Sequence, residues 1–220
     1  PKALNNFRFQ VRIYIMRLFS VMQFLSLFKK IVFSIWIVIW FLRRICHHFL
    51  EWIWADLAIR AVALAHQKEP KLRFDIYGKG GEQENLQDLI DTLGANDYIK
   101  LRGHADLRDV YPQYELYVTT SQWETFGLTL MEAVGAGLAL VGFDARYGNP
   151  TFIKDGENGY LVPYSETMDE DLLVSQMADK ILFALESDLE SMHQASYELA
   201  KQYLILEILE AWRKLLIAIR

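Results

Sequence analysis

The stretch Thr119-Thr120-Ser121-Gln122-Trp123-Glu124-Thr125-Phe126-Gly127-Leu128-Thr129-Leu130-Met131-Glu132-Ala133-Val134-Gly135-Ala136-Gly137 constrains the fold more than any other part of the chain. The run before it, Glu115 to Thr120, is β-rich, and after a glycine-containing turn Leu130, Met131 and Val134 recur at helical spacing. The segment therefore reads strand, loop, helix. A helix entered straight from a strand presents unpaired backbone N–H groups and the positive end of its dipole, which suit an anion such as a diphosphate. Glu124 in the loop and Glu132 in the helix flank that start, with seven residues between them. Glu132 falls roughly 7 Å along the helix at about 1.5 Å per residue, so the two acids can hold groups at opposite ends of a diphosphate-bridged ligand. The alternative is local: Glu124 caps the helix and Glu132 lies on a solvated face.

Two kinds of sequence are joined in the chain. Residues 1–55 hold eight Lys or Arg and one acid, Glu51, so residues 56–220 carry about −12 of a whole-chain charge of −5. All 12 glycines fall after residue 77. The longest uncharged apolar run, Ile31 to Leu42, is twelve residues, short of the roughly 18 to 20 that cross a bilayer. An interfacial helix over residues 11–42, apolar on one side and basic on the other, is the membrane-contact alternative for this segment. The single Cys46 excludes an internal disulfide and argues against a thiolate metal cluster. No nucleic-acid partner is expected. The opening residue, Pro1, predicts a fragment, and the absence of a cleavable signal pattern predicts a cytoplasmic location, peripheral at the inner face of the membrane if residues 11–42 bind lipid.

From Asp56 onward strands and helices alternate. A helix carrying Leu57, Ala61, Leu64 and Ala65 ends near Lys68-Glu69-Pro70. Strands are expected at Leu72–Tyr77, Tyr98–Arg102, Glu115–Thr120, Leu138–Gly142 and Tyr160–Val162, with helices at Gln83–Leu93, Asp106–Val110, from Gly148 onward, and at Asp169–Glu186, Leu189–Tyr203 and Ile205–Ile219. Five β-runs alternating with helices predict an α/β fold with a doubly wound parallel sheet over residues 56–220. Ligands in such sheets collect outside the carboxyl ends of the strands, where Gly78 and the Gly103-His104-Ala105 loop must sit. The His104 side chain reads equally as a cap on the helix that follows. Leu206, Leu209, Trp212 and Leu216 read as core or lobe contacts.

Glu124-Thr125-Phe126-Gly127-Leu128 followed by Glu132-Ala133 resembles the E-x7-E signature of retaining nucleotide-sugar glycosyltransferases built from two facing Rossmann-like lobes. Asp75 to Glu82, Leu101 to Ala105 and Gly142 to Ile153 stand in that family's order, and the last, with Asp155 to Tyr160, is similar to a narrower group. That group comprises accessory-Sec transferases, which add GlcNAc to serine-rich adhesins, and wall teichoic acid α-glycosyltransferases. The resemblance implies a C-terminal, UDP-sugar-binding lobe, with a glycosyltransferase-like chaperone subunit and a serine-rich adhesin as partners if it follows the first branch. It implies that Glu124 is the catalytic residue, holding donor-sugar hydroxyls and orienting the ring, and that Glu132 holds the ribose. Gly78, His104 and Ala105 line the nucleotide, and Thr125, Phe126, Gly127, Leu128 and Thr129 line the diphosphate and sugar. It implies no metal ion, since no Asp-x-Asp pair is present, and no cofactor besides the donor.

The chain departs from that pattern in three ways. Thr125 replaces the glycine common after the first acid. The arginine and lysine of the lobe's first loop fall on His48 and Ile53, which cannot pair with a diphosphate at neutral pH. The acceptor-side lobe has no counterpart. Residues 1–55 therefore read as foreign to the family, a shifted-frame or spliced segment, and the chain as a donor lobe with weak UDP affinity and little turnover.

Overall fold

The computed structural model describes residues 54–218. The expectations placed on residues 1–53, including the membrane-contact helix, the strand that opens the family's lobe, His48 and Ile53, lie outside them. The described elements, in chain order, are α1 (Ala55–His66), β1 (Phe74–Tyr77), α2 (Gln83–Thr92), β2 (Ile99–Gly103), α3 (Leu107–Val110), a 3-10 turn (Tyr111–Gln113), β3 (Leu116–Thr119), α4 (Leu128–Gly135), β4 (Ala139–Phe143), α5 (Gly148–Phe152), β5 (Gly159–Val162), α6 (Glu170–Glu186), α7 (Leu189–Lys201) and α8 (Ile205–Ala218).

Every ladder is parallel, as alternation with helices requires. Side chains alternate across β3, β4 and β5. Leu116, Val118, Val141, Phe143, Tyr160 and Val162 point to a core shared with α1, α2 and α6. Tyr117, Leu140 and Leu161 point to a second core shared with α4, α5 and α7. Helices on both faces make the sheet doubly wound. Asp169 caps α6 by accepting from the amides of Asp171 and Leu172 at 3.0 and 3.2 Å, which fixes the start one residue inside the expected one. Leu209 and Trp212 of α8 are exposed, so they contribute nothing to either core.

Among the described residues the ladder falls into two parts. Strands β1 and β2 form one sheet, β3, β4 and β5 another. Phe74 N–H donates to Tyr98 and Gly78 N–H to Gly103, both at 2.8 Å, so the backbone groups of Asp75 and Tyr77 face away from β2. Ala139 N–H donates to Glu115 at 3.1 Å, so those of Leu116 and Val118 face away from β4. Among the described residues no strand pairs with either edge, and the two edges line a common cavity of about 240 Å³. Two contacts span it. Tyr114, just before β3, donates its hydroxyl to Asp75 at 2.6 Å and sits 2.9 Å from the Tyr77 hydroxyl. Thr120 donates to the Trp54 carbonyl at 2.6 Å, which pins the entry to α1 against the end of β3.

Buried amide side chains tie the loops below the sheet. Asn158, 1% exposed, accepts from Lys154 N–H at 2.7 Å and donates to the Phe152 carbonyl at 3.0 Å and the Ser196 hydroxyl oxygen at 3.2 Å. Ser196 in turn donates to the Leu138 carbonyl at 2.6 Å. Asn158→Ala strands a buried amide and a buried carbonyl, and is expected to lower stability by about 2–4 kcal/mol. Urea denaturation checks this: the midpoint falls and the slope is unchanged.

Candidate functional site

The loop between β3 and α4 is clasped by backbone contacts at Glu124. Its N–H donates to the Arg146 carbonyl at 3.1 Å, and its own carbonyl accepts from Tyr147 and Gly148 at 2.6 and 2.7 Å. Gly148 permits that approach, because a Cβ there would stand 2.6 Å from Glu124 Cγ and 2.7 Å from the Phe126 carbonyl oxygen. Asn149, fully buried beneath, donates to the carbonyls of Phe143 at 2.9 Å and Ser121 at 3.2 Å. Its Oδ1 is buried with no donor among the described residues.

The half-buried Glu124 side chain turns back on its own loop. Oε1 accepts from Gly127 N–H at 2.8 Å and Phe126 N–H at 3.3 Å. Gly127 adopts φ 84° and ψ 63°, left-handed backbone that favours glycine, and a Cβ on it would meet Leu130 Cδ1 at 2.7 Å. The expectation that the Gly127 amide is open to an anion is therefore corrected: the nearest carboxylate takes it. The amides of Leu128, Thr129 and Leu130, at the first turn of α4, have no intrahelical acceptor and still present the positive end of the dipole. Tyr117 donates to Thr129 Oγ1 at 3.0 Å and Tyr111 to the Thr129 carbonyl at 3.2 Å, so two tyrosines fix that turn. Glu132 lies on the exposed face of α4, with no polar partner among the described residues.

Of the residues expected to act together, Glu124 and Thr129 line the central cavity, beside Trp54, Asp75, Tyr77 and Tyr114. Gly78, His104, Ala105, Thr125, Phe126, Gly127, Leu128 and Glu132 do not line it. Gly78 follows β1, and its N–H is bonded to Gly103, so the loop ends after β1 and β2 are tied together. His104 is exposed and does not cap the next helix. Asp106 does, accepting from Arg108 N–H at 3.1 Å. The Arg108 guanidinium, bonded to the same carboxylate at 2.6 Å, holds Asp106 down to about 2. Asp75 joins Arg102 at 2.9 Å as well as Tyr114, whose hydroxyl is pushed above its ordinary range by burial and by that carboxylate. The Asp75, Tyr77 and Tyr114 cluster and Asn149 were not singled out from sequence, since their partners lie far away in the chain. Among the described residues no group of three His, Cys, Asp or Glu side chains could hold a metal ion, and no helix is long and apolar enough to cross a membrane.

Comparison with known proteins gives the following. The Glycosyl transferases group 1 family model matches residues 48–202. The UDP-N-acetylglucosamine--peptide N-acetylglucosaminyltransferase GtfA subunit of Streptococcus pneumoniae serotype 4 (strain ATCC BAA-334 / TIGR4) is 51% identical over 160 residues, 72% of this chain and 32% of that protein. The crystal structure of the pneumococcal O-GlcNAc transferase GtfA in complex with UDP and GlcNAc superposes with a TM-score of 0.69 over 73% of this chain and 32% of that one. A GtfA/B complex gives 0.69 at 50% identity, over 74% and 33%. The poly(ribitol-phosphate) alpha-N-acetylglucosaminyltransferase of Staphylococcus aureus (strain COL) is 31% identical over 164 residues, 73% and 32% of the two chains. This chain spans about a third of the length of the curated relatives it matches.

The depressed Asp106 carboxyl has a sign that can be checked. Its folded value lies below the ordinary 3.8, so the capping contact is complete above about pH 4 and is lost as pH falls through 2. An NMR titration should place the Asp106 midpoint near 2, and Arg108→Ala should return it toward 3.8.

Proposed function

Because this chain belongs to the glycosyl transferases group 1 family, we propose that it is the UDP-sugar-binding lobe of a retaining glycosyltransferase that transfers GlcNAc from UDP-GlcNAc to serine or threonine of a serine-rich surface adhesin. The observation that carries this reading is the start of α4: half-buried Leu128 and Thr129, whose amides have no intrahelical acceptor, with Glu124 before them and Glu132 after. Half-identity to a peptide N-acetylglucosaminyltransferase supports the donor and the acceptor class. A polyol-phosphate acceptor is the second reading, favoured less because the relative that supports it is 31% identical.

A retaining transfer breaks the bond from anomeric carbon to diphosphate while the acceptor hydroxyl arrives on the same face. Its largest demand is stabilising the charge that grows on the leaving group. The α4 amides supply part of that stabilisation. Glu124 Oε1 is committed to the loop, which leaves Oε2 to accept from donor-sugar hydroxyls. Glu132, exposed on α4, accepts from the two ribose hydroxyls. No divalent ion is assigned a role, and EDTA is expected to leave donor binding, followed by isothermal titration, unchanged. A glycosyltransferase-like subunit is the chain's proposed partner, supported by the GtfA/B complex. The proposed lobe is residues 56–220.

Isothermal titration of the full chain with UDP, UDP-GlcNAc and UDP-glucose tests the reading, with UDP-GlcNAc expected to bind tightest. Glu132→Ala should weaken UDP by about tenfold, a net loss of about 1.5 kcal/mol for its solvent-exposed pair of ribose contacts. Glu124→Gln, which keeps the oxygen that accepts from Gly127 and replaces the other with a donor, should leave UDP within a few-fold and abolish transfer when the complete enzyme is assayed. Equal effects of the two substitutions on both quantities would contradict these roles.

A further inference from the structure

Three aromatic side chains around Glu124 are left open. Trp123 and Tyr147 are each 58% exposed and Phe126 is 48% exposed. Phe126 meets Phe152, a residue of the second core, edge to face at 5.5 Å. Trp123 and Tyr147 meet each other, with ring centroids 6.4 Å apart and planes at 85°. An exposed edge-to-face pair withholds large apolar area from the core while fixing the two rings at right angles, an arrangement that suits a ligand surface.

Both rings are referenced rigidly to the acid. Trp123 precedes it in the chain, and Tyr147 pairs with it as an isolated parallel bridge. The Tyr147 carbonyl accepts from Thr151 at 2.7 Å, which holds its backbone from the α5 side. Of the Glu124 carboxylate, Oε1 accepts two loop amides and Oε2 has no donor among the described residues. One short loop, clasped to Tyr147 through the backbone, therefore carries both an acceptor oxygen with no donor among the described residues and an open aromatic surface. A pyranose has the matching chemistry, with hydroxyl donors around its rim and apolar C–H faces.

We propose that Trp123 and Tyr147 form the stacking wall for the hexopyranose ring of the donor, whose hydroxyls donate to Glu124 Oε2. The proposal rests on the donor-lobe reading and adds two contacting residues to it. One ring offers its face to the sugar and the other closes the edge, so the pair acts on the sugar half of the ligand and leaves the nucleoside diphosphate to α4.

The test is isothermal titration of the full chain, wild type and Trp123→Ala, Tyr147→Ala and Trp123→Phe, with UDP and separately with UDP-GlcNAc. UDP affinity should stay within about twofold in every variant. The preference for UDP-GlcNAc over UDP should fall about three- to tenfold in each alanine variant, with partial recovery in Trp123→Phe. Saturation-transfer NMR with irradiation of the aromatic protons should label the pyranose C–H groups most strongly. An unchanged preference, or saturation confined to ribose and uracil, overturns the proposal while leaving the donor-lobe reading intact. Loss of UDP affinity together with the sugar preference shows that the rings only support the loop, and also overturns it. A wild-type chain that binds neither compound contradicts the donor-lobe reading itself, and the ring assignment falls with it.

Discussion

The bond from Gly127 N–H to the Glu124 carboxylate, 2.8 Å long, decides what this site can do. It requires the left-handed backbone that favours glycine at 127, and it requires Gly148 to lie flat against Glu124 Cγ. In return it points one carboxylate oxygen into the loop, frees the other, and starts the helix at Leu128. The two readings of Glu124 weighed on sequence, a structural strut and a ligand-holding acid, are therefore compatible, because they use different oxygens of one group.

The fold delivers this loop through a parallel sheet covered by helices on both faces. The polar groups that cannot be avoided are handled by buried amides: Asn158 links α5, its following turn and α7, and Asn149 links α5 to the ends of β3 and β4. At the centre β1 and β3 face one cavity, and among the described residues the halves are joined by the Asp75 and Tyr114 hydrogen bond and by Thr120 with Trp54.

Much of this was legible in the sequence because it depends on local patterning. Leu130 and Val134 at helical spacing gave α4, and the Leu138 to Gly142 run gave β4 within one residue at each end. Strand β1 starts two residues late. Arg73 bonds the carbonyls of Pro70 and Leu72 with its guanidinium, which holds that backbone in a turn and out of the ladder. Which strands neighbour one another was not legible, since pairing between strands is set by contacts remote in sequence. Nor was the engagement of the Gly127 amide: a composition of acid and glycine is the same whether the carboxylate turns inward or outward. The Asp106 cap was overlooked in favour of His104, although aspartate is the better N-cap.

The central claim is that the first turn of α4 is the anion site. It is tested most directly by following the backbone amide resonances of the full chain during titration with UDP. The largest shifts are expected at Leu128 and Thr129, with smaller ones at Glu132 and little change at Gly127, whose N–H is already bonded. Saturating UDP that leaves those two amides unmoved, while shifting others elsewhere, would contradict this.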